Sequence, residues 1–263
     1  MPLFAFELDR VEDIRPWGEP GEENLSWFAL THGAFRMIVG DQVLFRYTDA
    51  VLSRWNSSIQ DVDYQIASLA RDILGSVAPG VTALPKAIER LAADRELLTR
   101  LLNSATIDGE DLTGEEIWHR AWRWLGERSP WTGYFVAHPI IRFARVGNDI
   151  HIQWDNRGRV IDGMPAWAAQ LGVHALPVAD FLGESRDFAD RLLGAMDARI
   201  TGIASGAMRP QVAVDVAFLR QQHENWRVEF DSYFARRAPD VPWDETVSAL
   251  RKVAARAGAR LAE

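Results

Sequence analysis

Residues 27–48 read WFALTHGAFRMIVGDQVLFRYT, and residues 134–155 read YFVAHPIIRFARVGNDIHIQWD. Each stretch places a glycine turn between two apolar runs, with Gly40-Asp41 in the first and Gly147-Asn148 in the second. Apolar residues alternate after each turn, which is typical of a strand with one buried face. The sequence therefore predicts two β-hairpins that form antiparallel sheet.

The two stretches resemble each other closely enough to raise the question of an internal duplication. They align without a gap and are identical at three pairs of positions: Phe28 and Phe135, Val39 and Val146, and Gly40 and Gly147. A duplication would explain this likeness, and so would chance similarity between two hairpins of one type. Phe35 aligns with Arg142, so a duplication would require a bulge or a slip in the first strand.

Helices are predicted to follow each hairpin, because apolar residues recur there every three or four positions. The most regular pattern runs from Val212 to Tyr233, and the segment from Pro177 to Gly206 predicts a long helix. We therefore expect an α+β fold in which each hairpin is followed by packed helices. The 263 residues are expected to form a single domain, 1–263, with 1–104 and 113–263 as its halves.

The composition restricts the classes of function. The chain has no cysteine, which excludes disulfides and thiolate chemistry. Its net charge of −8 argues against general affinity for nucleic acid, since basic residues supply most non-specific binding. The chain lacks a secretory signal at residues 1–10, and no apolar run approaches the roughly 18–20 residues of a membrane span. We therefore expect a cytoplasmic protein that binds neither nucleic acid nor membrane.

Four stretches of the chain resemble a known family. They are LSWFALTHGAFRMIVGDQVLFRY, PIIRFARVGNDIHIQWDNRGRVIDGMPAW, LPVADFL and the long helix that follows. Together they are similar to an uncharacterised bacterial family, a domain of unknown function. The resemblance implies a domain that covers about residues 3–235, and it implies no established activity.

Polar residues cluster after the second hairpin, at the kind of loop that often carries function on a rigid scaffold. Two nearby carboxylates there could act as acid and base, and two tryptophans could form apolar walls. The predicted ligand-binding residues are Trp154, Asp155, Asn156, Arg157, Asp162 and Trp167. The same polar residues are also typical of ordinary turns, which need no functional explanation.

The sequence contains little motif evidence for a metal site or a catalytic site. Glu116 and His119 have the best spacing for metal ligands, since residues three apart share a helix face. No second pair accompanies them, so neither a metal nor another cofactor is predicted, and no catalytic residue is assigned. His223 lies on an apolar stripe and is expected to be a hydrogen-bonded core histidine. Motifs typical of nucleotide-binding proteins, serine hydrolases and zinc proteases are absent from the sequence.

Eleven tryptophans provide many potential anchors for a protein partner. Trp124 is predicted to be exposed, because it lies off the helix face of Trp118 and Trp122. The acidic charge would attract a basic partner. These features favour a non-catalytic protein-binding module, such as an immunity protein that neutralises a toxin. The alternatives are an enzyme or small-ligand-binding protein that uses the turn from Asp155 to Asp162, and a structural subunit of a larger assembly.

Overall fold

The computed structural model describes residues 1–104 and 112–261. Its strands are β1 (Phe4–Leu8), β2 (His32–Val39), β3 (Gln42–Leu44), β4 (Val62–Gln65), β5 (Ile141–Val146), β6 (Asp149–Asp155), β7 (Val160–Ile161), β8 (Met164–Pro165) and β9 (Leu171–Pro177). Its helices are α1 (Asp49–Trp55), α2 (Ile66–Gly75), α3 (Val77–Val81), α4 (Lys86–Ala93), α5 (Arg95–Ser104), α6 (Leu112–Gly126), α7 (Val178–Ala204), α8 (Val216–Ala235) and α9 (Trp243–Arg256). Helices combined with antiparallel sheets confirm the predicted α+β fold.

The first hairpin belongs to a sheet built around β2. β1 pairs with one edge of β2, and β3 and β4 pair with the opposite edge, all antiparallel. Phe35, Met37 and Val39 alternate along β2 and are buried, as expected for a strand with one face on the core. Phe4 of β1 extends this face and stacks on Phe188 of α7, with the ring centroids 5.2 Å apart. The first sheet therefore packs against α7.

The second hairpin belongs to a separate sheet, in which β6 is central between β5 and β9. Both predicted turns are present, since Val39 pairs with Gln42 and Val146 pairs with Asp149. The two sheets differ in topology, because the first strand of the hairpin is central in one and the second strand is central in the other. The likeness between the two stretches therefore does not extend beyond the hairpins.

Two hydrophobic clusters form the interior. The larger one contains residues of both sheets together with α2, α7 and α8. The smaller one lies among α4, α5, α6 and α9. Each cluster combines residues from before position 104 with residues from after position 112, so both are closed by segments that are distant in the sequence.

The bounds of the long helix α7 agree with the helix predicted between Pro177 and Gly206. It begins directly after Pro177 and spans 27 residues to Ala204. Gly206 follows with a φ of 75°, a conformation that glycine adopts without steric cost. Within residues 1–104 and 112–261, no helix is both long and apolar enough to cross a membrane.

Two segments depart from the helical periodicity. Val62 falls at helical spacing with Ile66 and Leu69, but Val62–Gln65 forms β4, because it pairs with the start of β2 and tertiary pairing outweighs local propensity. The helix predicted to start near Val212 begins at Val216. Asp215 caps it by accepting a hydrogen bond from the Phe218 amide at 3.1 Å, which satisfies one of the free donors at the helix start.

Candidate binding site at the end of the second hairpin

The residues predicted to bind a ligand form a compact loop after β6. Asp155 ends β6, and the short hairpin of β7 and β8 follows it. The turn of this hairpin is Asp162-Gly163, with φ of 49° and 78°. Positive φ at both central positions is the requirement of a type I′ turn, which Asp-Gly favours. The turn interpretation of this segment is therefore confirmed, and the loop has one defined conformation.

Asn156 is a buried structural residue. Its Oδ1 accepts a hydrogen bond from the Ile140 amide at 2.8 Å, and its Nδ2 donates to the Ala169 carbonyl at 2.9 Å. Because the backbone satisfies both ends of the carboxamide, this side chain holds three chain segments together and does not face a ligand.

The two tryptophans predicted as apolar walls are also buried. Trp154 packs over Gly172, where a Cβ atom would collide with the indole ring. Trp167 stacks on Tyr47 with ring centroids 4.7 Å apart, and its Nε1 donates to the Ala137 carbonyl at 2.7 Å. Both rings fill the core beneath the loop, so neither offers an exposed apolar wall at the surface.

The two carboxylates of the predicted site belong to separate ion pairs. Arg157 binds Asp155 in a bidentate manner, with Nε–Oδ1 and Nη2–Oδ2 distances of 3.0 and 2.8 Å. The hydrogen bond from Arg157 lowers the pKa of Asp155, against the opposing effect of burial. Asp162 instead pairs with Arg54 of α1 at 3.2 Å. Because each carboxylate is paired with its own arginine, this geometry gives no support to an acid–base pair.

Sequence reasoning missed two arginines, Arg142 and Arg159, and one histidine, His138, that lie near the end of β6. Burial lowers the pKa of Arg142 on β5, the charge of Asp155 partly offsets this, and Arg159 lowers it further. Burial and the charge of Arg159 likewise lower the pKa of His138. In the part of the chain that the structure describes, neither Arg142 nor Arg159 donates a side-chain hydrogen bond. An anionic group placed here would gain charge-assisted hydrogen bonds.

The loop between α6 and β5, residues 127–140, carries His138 and therefore approaches Arg159. Thr132 Oγ1 donates to the Pro139 carbonyl at 2.8 Å, which brings the start of the loop to its end. Trp131 and Val136 on this loop are 62% and 63% exposed, which is unusual for side chains of this size and polarity. We define the binding face as Trp131, Val136, His138, Arg142 and Arg159.

The conformation of this loop is well determined by its contacts. The Trp131 ring covers Gly133, where a Cβ atom would lie 2.8 Å from the indole. Trp131 also contacts Tyr134 edge to face at 5.2 Å. Ala137 has a φ of 52°, a strained value for alanine that the hydrogen bond from Trp167 helps to maintain. Trp131 is therefore presented to solvent by an ordered scaffold.

Trp124, in contrast, is fully buried, and its predicted exposure is wrong. The Arg128 guanidinium lies over the Trp124 ring at 5.7 Å and donates to the Trp124 carbonyl at 2.8 Å. The reason is that other residues of the smaller cluster cover α6 on more than one side. A side chain outside the main apolar face of α6 is therefore also buried.

The other sequence candidates have structural explanations. Glu116 pairs with Arg120 at 2.5 Å, and His119 pairs with Glu115 at 3.5 Å, all on the exposed surface of α6. Neither Glu116 nor His119 joins a potential metal-ligand cluster among the described residues. His223 is a hydrogen-bonded core histidine, as predicted, since it accepts from Trp27 Nε1 at 3.1 Å and is buried.

Comparison with known proteins places the chain in a family without assigning it an activity. No curated protein and no solved structure shows significant similarity to it. Residues 3–249 match the model of a family of unknown function, DUF5984. Since this match covers nearly the whole chain and agrees with the resemblance seen in the hairpin and turn motifs, the chain belongs to the DUF5984 family.

Proposed function

We propose that this protein is a non-catalytic protein-binding module that acts in the bacterial cytoplasm, and that the binding face is where it holds its partner. The observation that carries the proposal is the loop of residues 127–140, which exposes Trp131 and Val136 to solvent and, through His138, lies near Arg159. An immunity protein that neutralises a toxin is the specific role that we favour.

The apolar part of the face has the properties of an interface anchor. Tryptophan and arginine are enriched among the residues that dominate binding energy, particularly when a rigid loop presents them. Trp131 meets this description, because its ring is supported by Gly133 and Tyr134 before any partner arrives. Little conformational entropy would then be lost on binding.

The charged part of the face indicates the chemistry of the contact. Arg159 and Arg142 would pair with a carboxylate on the partner, close to the apolar anchors. The net charge of −8 acts over a longer range and favours a partner whose surface is basic overall. Salt screens that long-range attraction beyond a Debye length of about 10 Å, whereas the local contact is less affected. A basic protein with one acidic anchor residue satisfies both conditions.

A capture experiment with matched variants tests this function. Tagged wild type, the Trp131→Ser/Val136→Ser variant and the control Phe218→Ser/Val228→Ser would be incubated with host lysate, and bound proteins identified by mass spectrometry. Phe218 and Val228 are also exposed apolar residues, but they lie on α8. We expect one protein to be captured by wild type and control, and to be reduced about tenfold or more by the face variant.

The immunity role has its own test. The captured protein, expressed alone in a heterologous bacterium, should arrest growth. Co-expression of wild type should restore growth, and co-expression of the Trp131→Ser/Val136→Ser variant should not. Equal capture by all three proteins, or a captured protein that is harmless when expressed, would contradict the binding face or the immunity role respectively.

Binding of a small anionic ligand is the second candidate, and the hydrogen-bonding capacity of Arg142 and Arg159 favours it. The two functions respond differently to substitution. A small anion would depend on Arg159 but not on Trp131, whereas a protein partner would depend on both. A thermal-shift screen of anionic metabolites against wild type, Arg159→Gln and Trp131→Ser separates them. A ligand whose stabilisation disappears only in Arg159→Gln would support this second candidate.

A further inference from the structure

Three metal-ligating side chains meet at the edge of the first sheet, away from the binding face. Asp9 follows β1, His32 begins β2 and Asp63 lies in β4. His32 Nδ1 is 2.8 Å from Asp9 Oδ2 and 3.4 Å from Asp63 Oδ1. One ligand atom from each residue lies within 4.8 Å of the others. This spacing allows one ion to contact all three.

The backbone around this cluster is fixed by the sheet. The Asp9 amide donates to the His32 carbonyl at 2.9 Å, and His32 pairs with Gln65 of β4 on the other side. A Cβ atom at position 33 would collide with the Glu7 carbonyl, so the glycine there permits the close approach of β1 and β2. Two of the donors therefore lie in paired strands, and the third directly follows β1, which pairs with β2.

A buried arginine strengthens this arrangement from beneath. Arg199 of α7 donates to the carbonyls of Asp9 and Leu30, the latter at 2.6 Å. These hydrogen bonds fix the backbone at Asp9 and at Leu30, two residues before His32. Arg199 forms no ion pair within 4 Å of either carboxylate of the cluster among the described residues, so its charge does not replace a ligand there.

Two carboxylates share a single imidazole in this cluster. The imidazole has one Nδ1 hydrogen at most, and Nδ1 is closer to Asp9 than to Asp63. One such hydrogen cannot serve both carboxylates equally well. A divalent cation at this position would contact both carboxylate oxygens at once.

We propose that Asp9, His32 and Asp63 form a binding site for a divalent first-row transition-metal ion, coordinated by two carboxylate oxygens and one imidazole nitrogen. Imidazole with carboxylate suits Zn²⁺ or Mn²⁺, whereas Mg²⁺ and Ca²⁺ prefer oxygen ligands alone. All three side chains are partly exposed, so water completes the coordination. The ion ties β1, β2 and β4 together at their shared edge.

Metal titration of the full chain, with any affinity tag removed and after dialysis against chelator, tests this site. We expect one equivalent of Zn²⁺ or Mn²⁺ to bind by calorimetry and to raise the melting temperature, because a ligand that binds only the folded state stabilises it. Asp63→Asn and His32→Gln should weaken binding about tenfold or more each. His119→Ala is the matched control, since His119 belongs to an exposed Glu–His pair on α6, and it should bind like wild type.

A second measurement covers the case in which a variant fails to fold. Mn²⁺ added to wild type should broaden the NMR signals of the His32 imidazole and leave those of His119 unchanged. The proposal is overturned if neither ion binds wild type up to about 1 mM, a range that includes weak sites. It is also overturned if a folded Asp63→Asn or His32→Gln variant binds as wild type does, or if Mn²⁺ broadens His119 instead.

Discussion

Asn156 accepts a hydrogen bond from the Ile140 amide at 2.8 Å, and this bond joins the turn after β6 to the loop that carries Trp131. The same carboxamide donates to Ala169 at 2.9 Å. An amide suits this position because it provides one acceptor and one donor, whereas a carboxylate would bury a charge and leave the Ala169 carbonyl without this donor. The position of the loop that carries Trp131 therefore depends on Asn156, a buried residue outside the proposed binding face.

Asn156→Ala should lower the free energy of unfolding by about 2–3 kcal/mol, because it leaves two buried backbone groups without these partners. Asn148→Ala, in the exposed turn of the second hairpin, is the control and should change stability by less than about 0.5 kcal/mol. Urea denaturation of both variants measures the difference. Equal stability of the two variants would mean that the carboxamide does not hold the loop.

Trp167→Phe keeps an aromatic ring against Tyr47 but removes the hydrogen bond to the Ala137 carbonyl. We expect a loss of about 1–2 kcal/mol and faster amide hydrogen exchange in residues 129–140, since Ala137 would no longer be held in its left-handed conformation. Exchange in the first sheet, for example in β2, should remain slow. Unchanged exchange across the loop would show that other contacts fix it.

Trp124 and Trp131 should respond in opposite ways to truncation. Trp124→Ala removes a fully buried ring and should cost about 3–5 kcal/mol of stability. Trp131→Ala removes an exposed ring and should cost less than about 1 kcal/mol, with its effect appearing in partner binding instead. Thermal denaturation of the two variants tests this. A large stability loss in Trp131→Ala would assign that ring to the fold.

Asp72 on α2 should make stability depend on pH. Burial raises the pKa of this carboxyl from 3.8 to about 6, and Arg71 and the Tyr134 hydroxyl oppose the rise. The folded state therefore binds the proton more tightly than the unfolded state. The resulting stabilisation is fully present below about pH 4 and is lost as the pH rises through about 6.

Asp72→Asn removes this titration. The stability of the variant relative to wild type should increase by about 2 kcal/mol between pH 4 and pH 7, in proportion to the pKa difference. The exposed Asp190→Asn serves as control and should show no such trend. Chemical denaturation at several pH values gives both curves. A constant difference between Asp72→Asn and wild type over this range would contradict the raised pKa.

The sequence predicted those features that depend on neighbouring residues. The hairpin turns at Gly40 and Gly147 and the start of α7 after Pro177 follow from local turn and capping chemistry, and the structure has each of them. Val62 falls at helical spacing and yet lies in β4, because its pairing partner in β2 is distant in the sequence. Periodicity also failed at Trp124, since it describes one apolar face and not the second layer that covers α6.

The candidate sites were harder to predict for the same reason. The segment 155–162 was correctly identified as a turn, but only contacts from β5 and from the loop before it reveal Arg142 and His138 as its neighbours. The cluster of Asp9, His32 and Asp63 has no sequence motif, because its members are brought together by the pairing of β1 and β4 with β2. In both cases the residues come together through tertiary contacts rather than through their spacing along the chain.

The affinity of the captured partner for the binding face is the most direct test of the central claim. Calorimetry with the purified partner should give a one-to-one complex with wild type and with Phe218→Ser/Val228→Ser. The Trp131→Ser/Val136→Ser and Arg159→Gln variants should each bind about tenfold more weakly or worse while remaining folded. Unchanged affinity in both of these variants would contradict the assignment of the partner to this face.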